Sequence, residues 1–174
     1  MISYNIKTRT IKLTTIALFC SLAVVLSIVD SMIPAMSFLP PGAKLGLSNI
    51  VNMYTTGSIG IGTSLIIAVV KSLFVGVTRG AMAFFMSFFA GIASTLVSGF
   101  FIRMKKKVFG LVGIGIIGAL THNITQLIVV ILITKTFSLI YYLPVLIIFA
   151  IVTGALTGVT LKIVVPALEK IKMD

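Results

Sequence analysis

Acidic residues are nearly absent: the 174 residues include three, Asp30, Glu169 and Asp174, and charged residues of both signs make up only 10%. Cysteine is rarer still, and Cys20 alone cannot close an internal disulfide, so a disulfide scaffold is excluded and the redox compartment stays open. No G-x-x-x-x-G-K-S/T phosphate loop occurs, and the glycine-rich run from Gly110 to Gly118 lies inside a hydrophobic stretch, so the chain cannot hydrolyse ATP by itself. Few charges, 59% hydrophobic residues and a mean hydropathy of +1.24 exclude an ordinary soluble domain, a disordered chain and a collagen-like one. The composition calls for a bilayer. The 14 Lys and Arg give a net charge of +11, which would suggest nucleic acid in a soluble protein. Within a membrane their positions matter more, and no nucleic-acid partner is expected.

What is present is a set of long uncharged runs. There are 17 uncharged residues between Lys12 and Asp30, 23 between Arg79 and Arg103, 27 between Lys107 and Lys135, and 26 between Lys135 and Lys162. A spanning helix needs about 20 residues, so each gap holds one. The 34 residues from Leu45 to Thr78 contain only Lys71 as a charge. As one helix they would measure about 51 Å, too long for a hydrocarbon core of about 30 Å. The run Thr55, Thr56, Gly57, Ser58 supplies a break.

The expectation is an all-α integral membrane protein, a single domain over 1–174. Its six transmembrane helices lie near 11–30, 45–56, 58–78, 81–102, 109–134 and 141–165, the second short or tilted. Cytoplasmic loops carry excess Lys and Arg. With both termini cytoplasmic, Lys7, Arg9, Lys12, Arg103, Lys105, Lys106, Lys107, Lys162, Lys170 and Lys172 are inside, and Lys44, Arg79 and Lys135 outside. Five segments would split the basic tails and lose this asymmetry. A cleaved signal peptide ending near Ala35 is the competing reading of the first helix; it would leave five helices and reverse the charge count.

Small residues recur every four positions: Ala150, Gly154, Gly158; Gly60, Ser64, Ala68; Ala90, Ser94, Ser98; and Gly115 with Ala119. In lipid, helices associate through such close contacts, so these ladders are expected inside the bundle. The shorter ladder of Ala17 and Ser21 is a candidate for a partner instead.

Polar groups within a span are costly, and each is a functional candidate. Asp30 closes the first helix, Lys44 opens the second, Lys71 sits in the outer half of the third and Arg79 ends it. Asn49 and Asn52 share a face at i, i+3, as do His122 and Gln126 at i, i+4, with Asn123 beside them. The plainer readings are a Lys71–Asp30 pair, snorkelling for Lys44, Arg79 and Lys135, interhelical hydrogen bonds for the His122 group, and interfacial belt positions for Tyr141 and Tyr142. A lone His without Cys or carboxylate neighbours does not make a metal site, and no cofactor is implied. Three outer cations against one carboxylate favour a small-molecule substrate that is anionic or phosphate-bearing, or one rich in hydrogen-bond acceptors. The segment from Pro34 to Lys44, with Pro40, Pro41 and Gly42, is stiff enough to cap such a site. The candidate substrate-binding residues are Asp30, Pro41, Gly42, Lys44, Asn49, Asn52, Lys71, Arg79, His122, Asn123, Gln126 and Tyr141.

The stretches FLPPGAKLGLSNIVNM (38–53), GALTHNITQLIV (118–129) and YYLPVLIIFAIVTGALTG (141–158) resemble the bacterial membrane family labelled heptaprenyl diphosphate synthase component I, also called the Gx transporter family. That family is in turn similar to the S components of energy-coupling factor vitamin transporters. The resemblance implies a multi-pass protein of the bacterial cytoplasmic membrane that captures a micronutrient and docks, within membrane lipid, on a transmembrane coupling subunit driven by two cytoplasmic ATPases. The docking motif of S components, Ala-x-x-x-Ala on the first helix, corresponds here to Ala17 and Ser21, so Ser21 departs from the pattern. The synthase label implies aspartate clusters holding magnesium. Three acids cannot form them, so catalysis by this chain alone is not expected. The alternatives are a non-catalytic membrane subunit of polyprenyl diphosphate or quinone biosynthesis and a structural adaptor.

Overall fold

The structure, a computed structural model, describes residues 9–32, 46–104 and 110–171. Among them six α-helices follow one another: α1 Arg9–Met32, α2 Leu47–Ser58, α3 Ile61–Arg79, α4 Ala81–Arg103, α5 Leu111–Thr134 and α6 Leu143–Ile171, with no strand. All but α2 carry a segment long and apolar enough to cross a membrane. This is an all-α, multi-pass membrane protein.

At 12 residues, α2 rises about 18 Å and falls short of a bilayer. It packs against α1, α3, α4 and α6, so its polar side chains meet protein rather than lipid. That position lets one helix carry Ser48, Asn52, Thr55 and Thr56, all buried.

The break between α2 and α3 differs from the expected one. Helix α2 runs through Thr55–Ser58, and the chain turns at Ile59 and Gly60. The Thr55 hydroxyl donates to the Val51 carbonyl (2.9 Å), while Ser64 donates to the Asn52 carbonyl (2.9 Å) and accepts from Thr56 (2.8 Å). Those bonds hold the threonines in the helix and tie it to α3. The turn falls where Gly60 has φ 132°, a value that side chains disfavour, and the N–H groups of Ile59 and Gly60 both reach the Thr55 carbonyl. Gly80 alone joins α3 to α4, with φ 91°.

The last helix also starts later than expected. A 3₁₀ helix, Phe137–Tyr142, precedes α6, and Tyr141 sits on it 84% exposed.

Small residues set the closest approaches. A Cβ on Gly154 would press on the backbone of Gly115 and Ile116, and one on Gly115 would strike the Gly154 carbonyl, so α5 and α6 touch backbone to backbone. Ala90, Ser94 and Ser98 are buried on α4, as are Ser64 and Ala68 on α3. By contrast, Ala17 and Ser21 lie on the exposed side of α1, whose buried contacts run through Ala23, Ser27 and Asp30. Leu13, Leu18, Phe85, Phe89, Leu132 and Ile148 are among the large apolar side chains exposed on the outside, where membrane lipid covers them.

Candidate functional site

One end of the bundle holds a cavity of about 250 Å³, where the C-terminal ends of α1, α3 and α5 meet the N-terminal ends of α2, α4 and α6. Asp30 reaches it from α1, Asn49 from α2, and Lys71 and Arg79 from α3; His122, Asn123 and Gln126 reach it from α5. Seven of the sequence-derived candidates therefore share one wall. Pro41, Gly42 and Lys44 lie outside the described residues. Asn52 lines a smaller, deeper cavity instead, and Tyr141 lines neither. The six-residue 3₁₀ helix turns Tyr141 outward, as expected of an interfacial aromatic.

The charges are arranged unlike the simple pair that the sequence allows. Lys71 is 4% exposed and donates from Nζ to the Ser48 hydroxyl at 3.0 Å. Asp30 is also buried, and its Oδ1 accepts the N–H of Leu47 at 3.2 Å. Among the described residues no carboxylate stands within ion-pair distance of Lys71. Asp30 instead caps α2: the residue at the start of that helix, Gly46, has no side chain to satisfy the first free N–H groups, and a carboxylate 17 positions upstream does so.

On the α5 side, His122 is buried with Nδ1 3.5 Å from the Ser94 hydroxyl, and Asn123 donates to the Leu146 carbonyl at 3.3 Å. Both contacts are long for hydrogen bonds. Gln126 lines the wall one turn further on. Among the described residues no group of three His, Cys, Asp or Glu is close enough to hold a metal ion.

Ser27, Ser48, Ser87 and Thr153 complete the polar lining and were not singled out from the sequence. Ser27 stands one turn before Asp30 and Ser48 precedes Asn49, so adjacency to a stronger polar residue is the signal that could have found them.

The family model described as heptaprenyl diphosphate synthase component I matches residues 19–164. The chain belongs to that family. The match begins within α1 and ends within α6, so the component I family region takes in every helix that lines the cavity. No curated protein matches the chain, and no solved structure does.

Proposed function

We propose that this component I family member is the substrate-binding membrane subunit of an energy-coupling factor type transporter, resembling an S component, and that the cavity receives a small anionic or phosphate-bearing micronutrient or precursor. The observation that carries the reading is Lys71: a cation in the wall of a cavity, buried, with a neutral serine as its hydrogen-bond partner. A buried charge calls for a counter-charge, and an anionic solute supplies it. Arg79 lines the same space, so two cations face one carboxylate that is already engaged at the start of α2. A volume of about 250 Å³ falls just below the usual range of ligand pockets, which starts at about 300 Å³, and so suits only a compact solute. The role is binding rather than catalysis, since three acids in the whole chain supply no magnesium cluster, and energy must come from a partner, since there is no phosphate loop.

In this reading the protein sits in the bacterial cytoplasmic membrane as one domain with both termini cytoplasmic and the cavity open outward. Ala17 and Ser21 face a transmembrane coupling subunit attached to two cytoplasmic ATPases. The second reading, a non-catalytic membrane subunit that holds a prenyl diphosphate for a soluble enzyme, is favoured by the family's description and by the same two cations.

Native mass spectrometry of the gently purified protein separates them. A compact anion retained by the wild type and lost from Lys71→Met, with an ATPase pair copurifying, supports the transporter. A retained prenyl diphosphate with a soluble prenyltransferase overturns it in favour of the second reading.

A further inference from the structure

Hydroxyl groups flank the helix that carries the buried cation. Helix α3, with Lys71 and Arg79, packs on both α1 and α4, and each of these neighbours contributes one serine to the wall of the main cavity: Ser27 from α1 and Ser87 from α4. The two are 4% and 7% exposed, and neither side-chain hydroxyl bonds to another described residue. The amide of Gln126, which lines the cavity from α5, is unpaired in the same way. Polar groups in a buried wall are almost always hydrogen-bonded, so unpaired ones around a single space mark what its occupant has to satisfy.

An anionic group alone does not satisfy them. Serine hydroxyls and a glutamine amide accept as well as donate, whereas an ionised carboxylate only accepts, so the ligand must bring donors of its own. An ammonium group is the wrong donor, because Lys71 and Arg79 line the same wall and Asp30, the carboxylate that would pair with it, is bonded to the Leu47 N–H. Aliphatic hydroxyl groups fit: they carry no charge, donate to an amide or serine oxygen and accept in return. The carbon surface of the wall comes from Val75, Ala83, Met86 and Ala119, and no described lining residue has a phenyl or phenol ring on which a flat aromatic ligand could stack. We propose that the ligand is a compact, hydroxylated aliphatic anion, its charged end beside Lys71 and its hydroxyl groups among Ser27, Ser87 and Gln126. The inference deepens the anion-binding reading and rests on it.

The test compares matched pairs of anions on the full-length protein in detergent by isothermal calorimetry. Glycerol 3-phosphate is set against n-propyl phosphate, which has the same chain without hydroxyls, and glycerate against propionate; phenyl phosphate is the aromatic control. In the pair whose charged group binds, the hydroxylated member should bind about ten- to a hundredfold more tightly, since its partner leaves the serines unpaired. Ser27→Ala and Ser87→Ala should each narrow that gap and the double variant should close it, whereas Lys71→Met should weaken both members alike and leave the gap in place. Thermal unfolding of each variant shows that it is folded. If both members of a pair bind equally and Lys71→Met still weakens both, the hydroxyl inference is wrong and the anion site stands. A gap that survives the double serine variant removes these residues from recognition and overturns the assignment. Phenyl phosphate binding as tightly as glycerol 3-phosphate overturns it too. If Lys71→Met changes nothing, the anion-binding reading itself fails, and absence of binding by every probe at millimolar concentration overturns the proposed ligand class.

Discussion

Lys71 carries a flexible charged chain into the cavity wall and ends on one serine hydroxyl. A hydrogen bond to a charged group contributes about 1.5–3 kcal/mol, so Ser48→Ala should lower stability by that order and Ser48→Thr should recover most of it, read by thermal unfolding in detergent. Ligand affinity should fall by roughly 2–5 kcal/mol for Lys71→Met and change little for Lys135→Met, because Lys135 ends α5 on the exposed surface and lines neither cavity. Equal losses in a binding assay would mean that Lys71 serves only the fold. The role of Asp30 at α2 makes a separate prediction: Asp30→Asn keeps an acceptor for Leu47 and should stay near wild-type stability, whereas Asp30→Ala should lose about 1 kcal/mol. Much of the candidate site was readable because amide, imidazole and ammonium groups are conspicuous in an apolar span. The hydroxyls were not. Thr153 closes on its own helix at the Phe149 carbonyl, as serine and threonine do on helix faces of every kind, so sequence alone does not tell a cavity hydroxyl from a lipid-facing one.

At the scale of the helix, α5 and α6 are held by contact between glycine backbones rather than by interdigitated side chains. Gly154→Val would force the helices apart and should cost about 1–3 kcal/mol or more, while Gly62→Ala, with nothing near its Cβ position, should be neutral or gain up to about 1 kcal/mol from helix propensity. Chemical unfolding in mixed micelles would compare the pair. Helix positions were legible because Lys12, Arg79, Arg103 and Lys135 stand close to the ends of long apolar runs. The α2–α3 break was misplaced because Thr55 and Thr56 look like turn residues until their hydroxyls are seen bonding to carbonyls one turn back and to Ser64. Likewise, the 3₁₀ helix before α6 has no periodic signature that separates it from the helix it precedes.

Across the whole molecule, α1 is the least enclosed spanning helix, packing on α2 and α3 and leaving Ala17 and Ser21 exposed. That exposure takes this ladder out of the internal packing of the described bundle, and on the proposed transporter reading Ala17→Trp with Ser21→Leu should leave ligand binding by the isolated protein intact and abolish copurification with a coupling subunit. Normal copurification of the double variant would assign the face to lipid. The proposed orientation is checked by thiol labelling of intact cells: with Cys20→Ser, an Arg79→Cys variant should react with an impermeant reagent and Arg103→Cys, at the opposite end of α4, should not. The bond from Asp30 to Leu47 has a consequence for how this architecture diversifies. It fastens the two ends of the α1–α2 connection to each other, so the start of α2 is fixed by α1 and not by the length of chain between them. Closing a longer loop costs little more, about 0.6 kcal/mol for each doubling. The length of that connection can therefore change without moving Ser48 or Asn49, so the wall they form with Asp30 keeps one geometry whatever chain runs between the two helices.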